Sequence, residues 1–252
     1  MSSDPFSRFL LPVLLVAASC SVKENRAACP CSLMLDLSGL PVSPVVVEVT
    51  GEGFSKTGIV HADTVMVLSV PKGRATVSVV GGALADPDGG VQIPPGEEAP
   101  PLYLFHASFS SAAEQMVLPV VLHKQYCALE LIFSGPAGYG PPFEVEVEGN
   151  VSGWERDGTP AEGRFSHRLL PGPETPAILR LPRQGDDSLV MHILFSDRVV
   201  RTFALGTYMA EAGYDWTEPD LKDLTLKVDV SVTSVTLSSG GWTRTEDIEL
   251  WI

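Results

Sequence analysis

The sequence predicts an all-β fold of two tandem β-sandwich domains, and three observations lead to that prediction. Beyond residue 30, short apolar runs alternate with clusters of Gly, Pro and Asp, as strands do with turns. The runs are rich in β-branched residues and too brief for helices. Strong amphipathic helical periodicity is missing, and only residues 206–216 have mild helical character. At 252 residues, the chain is long enough for two domains of ordinary size.

The first domain is predicted to span residues 31–122. A Pro- and Gly-rich stretch at residues 85–101 is expected to be a long loop, because these residues disfavour regular structure. The short β-branched runs on either side are predicted to be strands. They lie at residues 33–37, 45–49, 65–70, 75–80, 102–109 and 116–122.

The second domain is predicted to span residues 123–252. In the run FEVEVEG at 143–149, apolar residues alternate with glutamates, which predicts a strand with one buried and one solvated face. The chain is expected to finish with a long strand segment, a turn at SGG and a last strand, DIELWI. The predicted strands lie at residues 128–133, 143–149, 164–170, 177–182, 189–195, 199–205, 224–237 and 247–252.

The N-terminus has the layout of a secretory signal. An apolar run from Phe9 to Ala18 follows a single basic residue, Arg8, and is about half the ~20 residues that a membrane-spanning helix needs. Small residues then lead directly into Cys20, an order that resembles the lipobox of bacterial lipoproteins. We therefore expect residues 1–19 to be a signal peptide, Cys20 to be acylated with palmitate-type chains, and residues 20–30 to form a tether. Plain secretion and a retained core element are the alternatives.

Three cysteines remain once Cys20 is assigned to lipid, and three cannot all pair within one chain. An oxidising envelope compartment permits one disulfide, joining either Cys29 or Cys31 to Cys127. A metal site at CPC is the alternative. The five histidines show no ligand spacing and no second cysteine pair is present, so no metal site is predicted.

Charge and motifs narrow the classes of function. A net charge of −14 disfavours binding to nucleic acid or to anionic lipid. The chain has neither a G-x-S-x-G nucleophile motif nor a phosphate-binding glycine loop, and its many carboxylates do not single out a catalytic pair. The sequence therefore predicts no catalytic residues, no cofactor and no small-molecule substrate.

Several segments in a fixed order are similar to a known family. These segments are CSVKENRAACPC (20–31), HKQY (123–126), LPRQGDDSL (181–189), FALGTYMAEAGYDW (203–216), DLKDLTLKVDVSVTSVTL (220–237) and GW (241–242). On these segments the chain resembles the fimbrillin-A-associated anchor family, the FimB-like minor fimbrial subunits, which are lipoproteins.

The resemblance implies two transthyretin-like sandwiches, a lipid anchor in the outer membrane and a place at the base of a cell-surface fimbrium (pilus), with other fimbrial subunits as partners. Shaft subunits of the family lose their lipidated segment to an arginine-specific protease, and a neighbour's strand then fills the groove that opens. Arg26 is the candidate cleavage site here, but it lies only six positions beyond Cys20. That short spacing favours an anchor over a shaft subunit. The alternative is a lipid-anchored module that binds glycans or proteins on the cell surface, as an adhesin does.

Two local hypotheses concern the second domain. In DIELWI, Ile248, Leu250 and Ile252 share one face, so this strand is expected either to complete its own domain or to be donated to a neighbouring subunit. In GYDW, Tyr214 and Trp216 are expected to hold a loop against the second sandwich, with Asp215 accepting hydrogen bonds from backbone amides.

Overall fold

The computed structural model describes residues 29–83, 90–134, 143–172, 176–195, 197–229, 234–239 and 242–247. The described chain is almost entirely β-structure, arranged in four sheets that form two sandwiches. The first nine strands are β1 (Cys31–Asp36), β2 (Val45–Gly51), β3 (Phe54–Val60), β4 (Val65–Val70), β5 (Arg74–Gly81), β6 (Val91–Gln92), β7 (Tyr103–Ser110), β8 (Gln115–Pro119) and β9 (His123–Lys124).

The remaining elements begin directly after β9 and include a single helix among the described residues. They are β10 (Tyr126–Ser134), β11 (Phe143–Trp154), β12 (Pro160–Leu169), β13 (Ala177–Pro182), β14 (Val190–Phe195), β15 (Arg198–Phe203), α1 (Leu205–Glu211), β16 (Leu224–Asp229), β17 (Ser234–Ser239) and β18 (Trp242–Asp247).

The first sandwich packs a three-stranded sheet against a five-stranded one. The strand orders are β4-β1-β8 and β3-β2-β5-β7-β9. Alternate side chains of β1, β2 and β5 point inward, as the period of two in the sequence requires. They form one apolar cluster in which Leu33, Leu35, Val47 and Val77 are fully buried.

The second sandwich packs the sheet β12-β11-β14-β15 against the sheet β13-β10-β16-β17-β18. Its apolar cluster includes Leu129 and Leu131 from β10 and Val145 and Val147 from β11, all fully buried. The alternation FEVEVEG predicted this inward valine face, and the structure confirms it.

The two sandwiches share contacts on both sides of residue 122. The strand β6 adds to the end of β11, and Val91, Ile93 and Leu102 belong to the apolar cluster of the second sandwich. In the other direction, β9 pairs with β7 of the first sandwich. The division of the chain at residues 122 and 123 therefore stays a prediction.

Most predicted strands are confirmed, and the differences have local causes. The strand β3 was missed because FSKTGIV does not alternate apolar with polar residues. The strand β6 lies inside the predicted long loop, where two residues suffice to bridge to β11. The predicted strand at 224–237 is two antiparallel strands, β16 and β17. The run was predicted as one strand because it contains no Gly or Pro.

The end of the chain also differs from the prediction. The last described strand, β18, pairs with β17 and ends at Asp247, the first residue of DIELWI. Residues 248–252 lie outside the described residues. The helical character predicted at 206–216 is confirmed by α1. In the described part of the chain, no helix has the length and apolar character needed to cross a membrane.

Candidate functional site

The first strand lies at the centre of its sheet and fills the first sandwich. The sequence CSLMLD places Cys31, Leu33 and Leu35 on one face, and all three side chains are fully buried. The strand β1 runs antiparallel to β4 and parallel to β8, so β4 and β8 meet only through it. Without β1, an apolar groove would open between these two strands. Cys20 and Arg26, which precede β1, lie outside the described residues.

The three remaining cysteines are free thiols in the structure. Cys29 is exposed, whereas Cys31 begins β1 in the first sandwich and Cys127 lies within the apolar cluster of the second. The disulfide predicted between Cys29 or Cys31 and Cys127 is therefore not formed here. Burial raises the pKa of the Cys127 thiol to about 12, which keeps it protonated and unreactive near neutral pH.

Arg183 ties together the chain segments at the junction of the two sandwiches. Its Nε donates to Gln125 Oε1 at 2.8 Å, and its Nη2 donates to the carbonyl oxygen of Pro219 at 2.9 Å. Its Nη1 donates to the carbonyl oxygens of Trp216 and Glu218. Burial lowers the pKa of Arg183, and these acceptors solvate the charge in place of water.

The loop that follows α1 behaves as predicted for GYDW. Tyr214 and Trp216 are both buried and pack edge to face, with ring centroids 4.8 Å apart. Tyr214 donates a hydrogen bond to the carbonyl oxygen of Lys222, and Asp215 Oδ1 accepts one from the backbone N–H of Thr217 at 2.8 Å. This loop supplies two of the carbonyl groups that Arg183 binds.

A second junction contact covers the edge of β13. The backbone N–H of Arg180 donates to Glu98, and its carbonyl oxygen accepts from the N–H of Ala99. The Arg180 guanidinium also pairs with the Glu98 carboxylate. Residues preceding β7 thus occupy the edge of a sheet in the second sandwich, which leaves no free backbone groups at Arg180.

The close pairing of β6 with β11 depends on Gly153. Its φ of +159° lies at the margin of the region that side chains avoid, and a Cβ there would lie 2.2 Å from the carbonyl oxygen of Val91. A substitution at Gly153 would therefore push the two sandwiches apart at this point.

The glutamates of β11 form an ion-pair network on the outer face of their sheet. Glu144 and Glu146 both contact Arg168, and Glu148 contacts Arg164. Burial disfavours the charge on Glu146, but hydrogen bonds from Ser166 and Arg168 outweigh that effect, so the pKa of Glu146 lies below its usual value. The sequence indicated a solvated acidic face and did not reveal its basic partners on β12.

A cleft of about 380 Å³ lies between the sandwiches and is lined by His106, His123, Asp157 and Arg183, among others. In this cleft, Nε, Nη1 and Nη2 of Arg183 all donate hydrogen bonds to acceptors of the protein itself. Among the described residues, no carboxylate is buried and no cluster of His, Cys, Asp or Glu is suited to a metal ion. We call Arg183 and its acceptors in residues 124–125 and 216–219 the clasp.

The end of the second sandwich is secured by the helix. Tyr208 of α1 donates to the carbonyl oxygen of Arg244 on β18, and the Arg244 guanidinium pairs with Glu211 at 2.9 Å. Thr236 and Thr245 share a cross-strand hydrogen bond of 3.0 Å. The strand β18 is thus an ordered edge, and the chain continues from it toward residues 248–252.

Solved structures share this fold. A candidate adhesin from Bacteroides ovatus aligns with a TM-score of 0.58 at 15% identity, covering 86% of this chain and 96% of the other. The fimbrial anchor protein Mfa2 from Porphyromonas gingivalis aligns with a TM-score of 0.56 at 12% identity, covering 85% of this chain and 99% of the other. A fimbrial assembly protein from Parabacteroides distasonis aligns with a TM-score of 0.50 at 12% identity, covering 87% and 99%.

No protein-family model and no curated protein sequence matches the chain. At these identities the structural likeness establishes the fold. It is the tandem-sandwich fold of fimbrial and adhesin-like proteins, as the resemblance in the sequence predicted.

Proposed function

We propose that this protein anchors fimbriae to the outer membrane through a lipid on Cys20 and joins other fimbrial subunits by β-strand addition. The observation that carries the proposal is the position of β1. Between Arg26 and Arg74 the sequence contains no arginine, and Arg74 lies in β5. Cleavage after Arg26 would leave β1 in the sandwich, and an arginine-specific protease has no site at which to excise it alone. The groove between β4 and β8 of the first sandwich therefore stays filled by β1 of the same chain.

The topology supports an orientation in which the second sandwich points away from the membrane. The chain enters the first sandwich at Cys31, and β8, which is parallel to β1, ends beside Asp36 at the opposite end of the sheet. The second sandwich follows from that opposite end. If Cys20 carries lipid, the ten residues 21–30 reach at most about 36 Å when fully extended, which keeps the first sandwich near the membrane.

The test is to replace Cys20→Ala in the producing strain and to measure fimbriae on cells and in the medium. We expect fimbriae to be shed, because the tether would lose its acylation site. Cys29→Ala is the matched control, since it removes an exposed free thiol and leaves Cys20 intact. Fimbriae that stay attached in the Cys20→Ala strain would contradict the proposal, as would glycan binding by the purified protein with fimbriae unaffected by gene deletion.

The same strain background tests the fate of the N-terminus. We expect Arg26→Ala to leave the fimbriae attached and unchanged in number, because β1 stays in place whether or not Arg26 is cut. Loss of fimbriae in this variant, with the mass of the wild-type protein showing cleavage after Arg26, would favour a shaft subunit.

A further inference from the structure

One sheet edge of the first sandwich lacks the features that keep edges from pairing. Apart from the two-residue β6, which pairs only with the end of β11, eight strands end the four sheets in the described part of the chain. Seven of these eight contain a charged residue or a proline. Natural proteins use such residues to block unwanted pairing at open edges. The exception is β4, whose sequence VMVLSV contains neither.

The other seven edges are each protected in a recognisable way. The strand β8 ends in Pro119, which lacks an N–H, and β13 is covered at Arg180 by Ala99 and Glu98. The remaining edge strands all carry charges: β3, β9, β12, β15 and β18.

Alternate residues of β4 direct their backbone groups outward. The N–H of Leu37 donates to the carbonyl oxygen of Thr64, which sets the phase of the antiparallel ladder between β1 and β4. Since bonded and non-bonded pairs alternate, Val65, Val67 and Ser69 point their N–H and C=O groups away from β1. The edge therefore offers three consecutive outward positions for another strand.

The side chains beside this edge are apolar and exposed. Val65 is 55% exposed and Val67 is 60% exposed, and the cross-strand neighbours of Met34 are Val67 and Val117, the latter 61% exposed. An added strand would shield Val65 and Val67 from water on one face. The edge thus combines free hydrogen-bonding groups with an apolar surface, which is the chemistry of strand addition.

We propose that β4 is a docking edge to which an extended, uncharged segment of another fimbrial subunit adds as a new strand. The identity of that partner rests on the proposed function, whereas the edge itself rests on its backbone groups and side chains. A second copy fits poorly. Antiparallel pairing of two β4 strands would direct the two Cys31 ends, and hence the two tethers, in opposite directions.

The edge can be tested by photo-crosslinking of the full-length protein in fimbriated cells. A benzophenone amino acid is placed at Ser69 on β4 or, as the matched control, at Gln115 on β8; Ser32 pairs with both residues, so they end the same row of the sheet. We expect Ser69, and not Gln115, to crosslink to a single segment of a fimbrial subunit, identified by peptide mass spectrometry. A crosslink to a second copy, to no protein, or equally from both positions would overturn the proposal.

Substitutions at Val67 test the mechanism. Val67→Pro removes an N–H that the ladder with β1 does not use, and Val67→Lys adds a charge to the edge. We expect each to reduce the crosslink from Ser69 at least tenfold, whereas Val117→Lys, on the same face of β8, should leave it unchanged. A crosslink that survives both Val67 variants would refute strand addition at β4. A thermal unfolding transition in each variant shows that it is folded. If Val67→Pro does not fold, the crosslink measured in Val67→Lys decides the test.

The outcome is separable from that of the anchor proposal. If Cys20→Ala sheds fimbriae and Ser69 gives no crosslink, the docking edge is wrong and the anchor stands. If Ser69 crosslinks as expected and Cys20→Ala leaves fimbriae attached, the anchor is wrong and the docking edge stands.

Discussion

At the scale of single residues, the sequence predicts inward-facing side chains better than it predicts polar contacts. The inward position of Leu33 and Leu35 follows from the alternation of apolar residues alone, because the period of a strand is a local property of the sequence. The contacts of Arg183 cannot be predicted in this way, since its acceptors belong to residues 124–125 and 216–219, which are far from it in sequence. Nothing in LPRQGDDSL marks this arginine as the clasp between sandwiches.

One polar pattern is readable in the sequence, and of its four instances only the one at Asp215 was predicted. In four turns an aspartate accepts a hydrogen bond from the backbone N–H of a Ser or Thr two residues later, an arrangement that Asp-x-Ser/Thr favours. Hydrogen bonds to that Ser or Thr lower the pKa of each of these aspartates. The four aspartates are Asp36, Asp157, Asp186 and Asp215.

The clasp can be tested with Arg183→Lys. A lysine keeps the charge but cannot reach the carbonyl groups on both sides, so buried acceptors lose their partners. We expect the free energy of unfolding to fall by about 1–3 kcal/mol, measured by urea denaturation. Arg164→Lys is the matched control on an exposed ion pair and should change stability little. Equal stability of the Arg183 variant and the wild type would show that the clasp is dispensable.

At the scale of elements, β1 is the strand on which the functional proposal depends. The run LMLDL predicted it as a strand, but only the sheet order reveals that it sits between β4 and β8. A central strand pairs on both sides, and one that is fully buried on its inner face holds the sandwich closed. The sequence cannot specify such neighbours, because β8 lies about eighty residues further along the chain.

The contribution of β1 to stability is measurable by substitution along the strand. Leu35→Ala would leave a cavity in the first sandwich, and we expect it to lower the free energy of unfolding by about 2–5 kcal/mol. Met34→Ala, at the adjacent outward-facing position, is the control and should cost clearly less. Similar losses for both variants, followed by denaturant unfolding, would contradict the inward and outward assignment of β1.

At the scale of the whole molecule, the acidic surface is partly neutralised by local partners. The net charge is −14, yet Glu146 and Asp220 have pKa values below the usual range although burial opposes their ionisation. Hydrogen bonds from Ser166 and Arg168 outweigh burial at Glu146, and hydrogen bonds from Lys124 and His123 do so at Asp220. These carboxylates favour the folded state while they are ionised.

These lowered pKa values determine how the stability of the folded protein depends on pH. A carboxylate whose pKa is lowered by folding stabilises the protein above its unfolded pKa of about 4, and that contribution is lost as pH falls through the folded value. We therefore expect the thermal midpoint to decrease below about pH 4.

Glu146→Gln should be less stable than the wild type at pH 7, with the difference diminishing toward pH 2. Asp187→Asn, at an exposed position, is the control for loss of one negative charge. A constant difference between wild type and Glu146→Gln from pH 7 to pH 2 would contradict the assignment.

The sequence by itself determined the class of fold and the positions of most strands, and it predicts a signal peptide and a lipid site at Cys20, because strand period, turn residues and signal layout are all local properties of the chain. Tertiary structure alone decided which strands lie at edges, that β1 fills the first sandwich, and that Arg183 joins distant loops. Those features depend on pairing between segments far apart in sequence, which alternation cannot specify. The uncharged edge of β4 illustrates both: its composition is visible in VMVLSV, but only the sheet order makes it an edge.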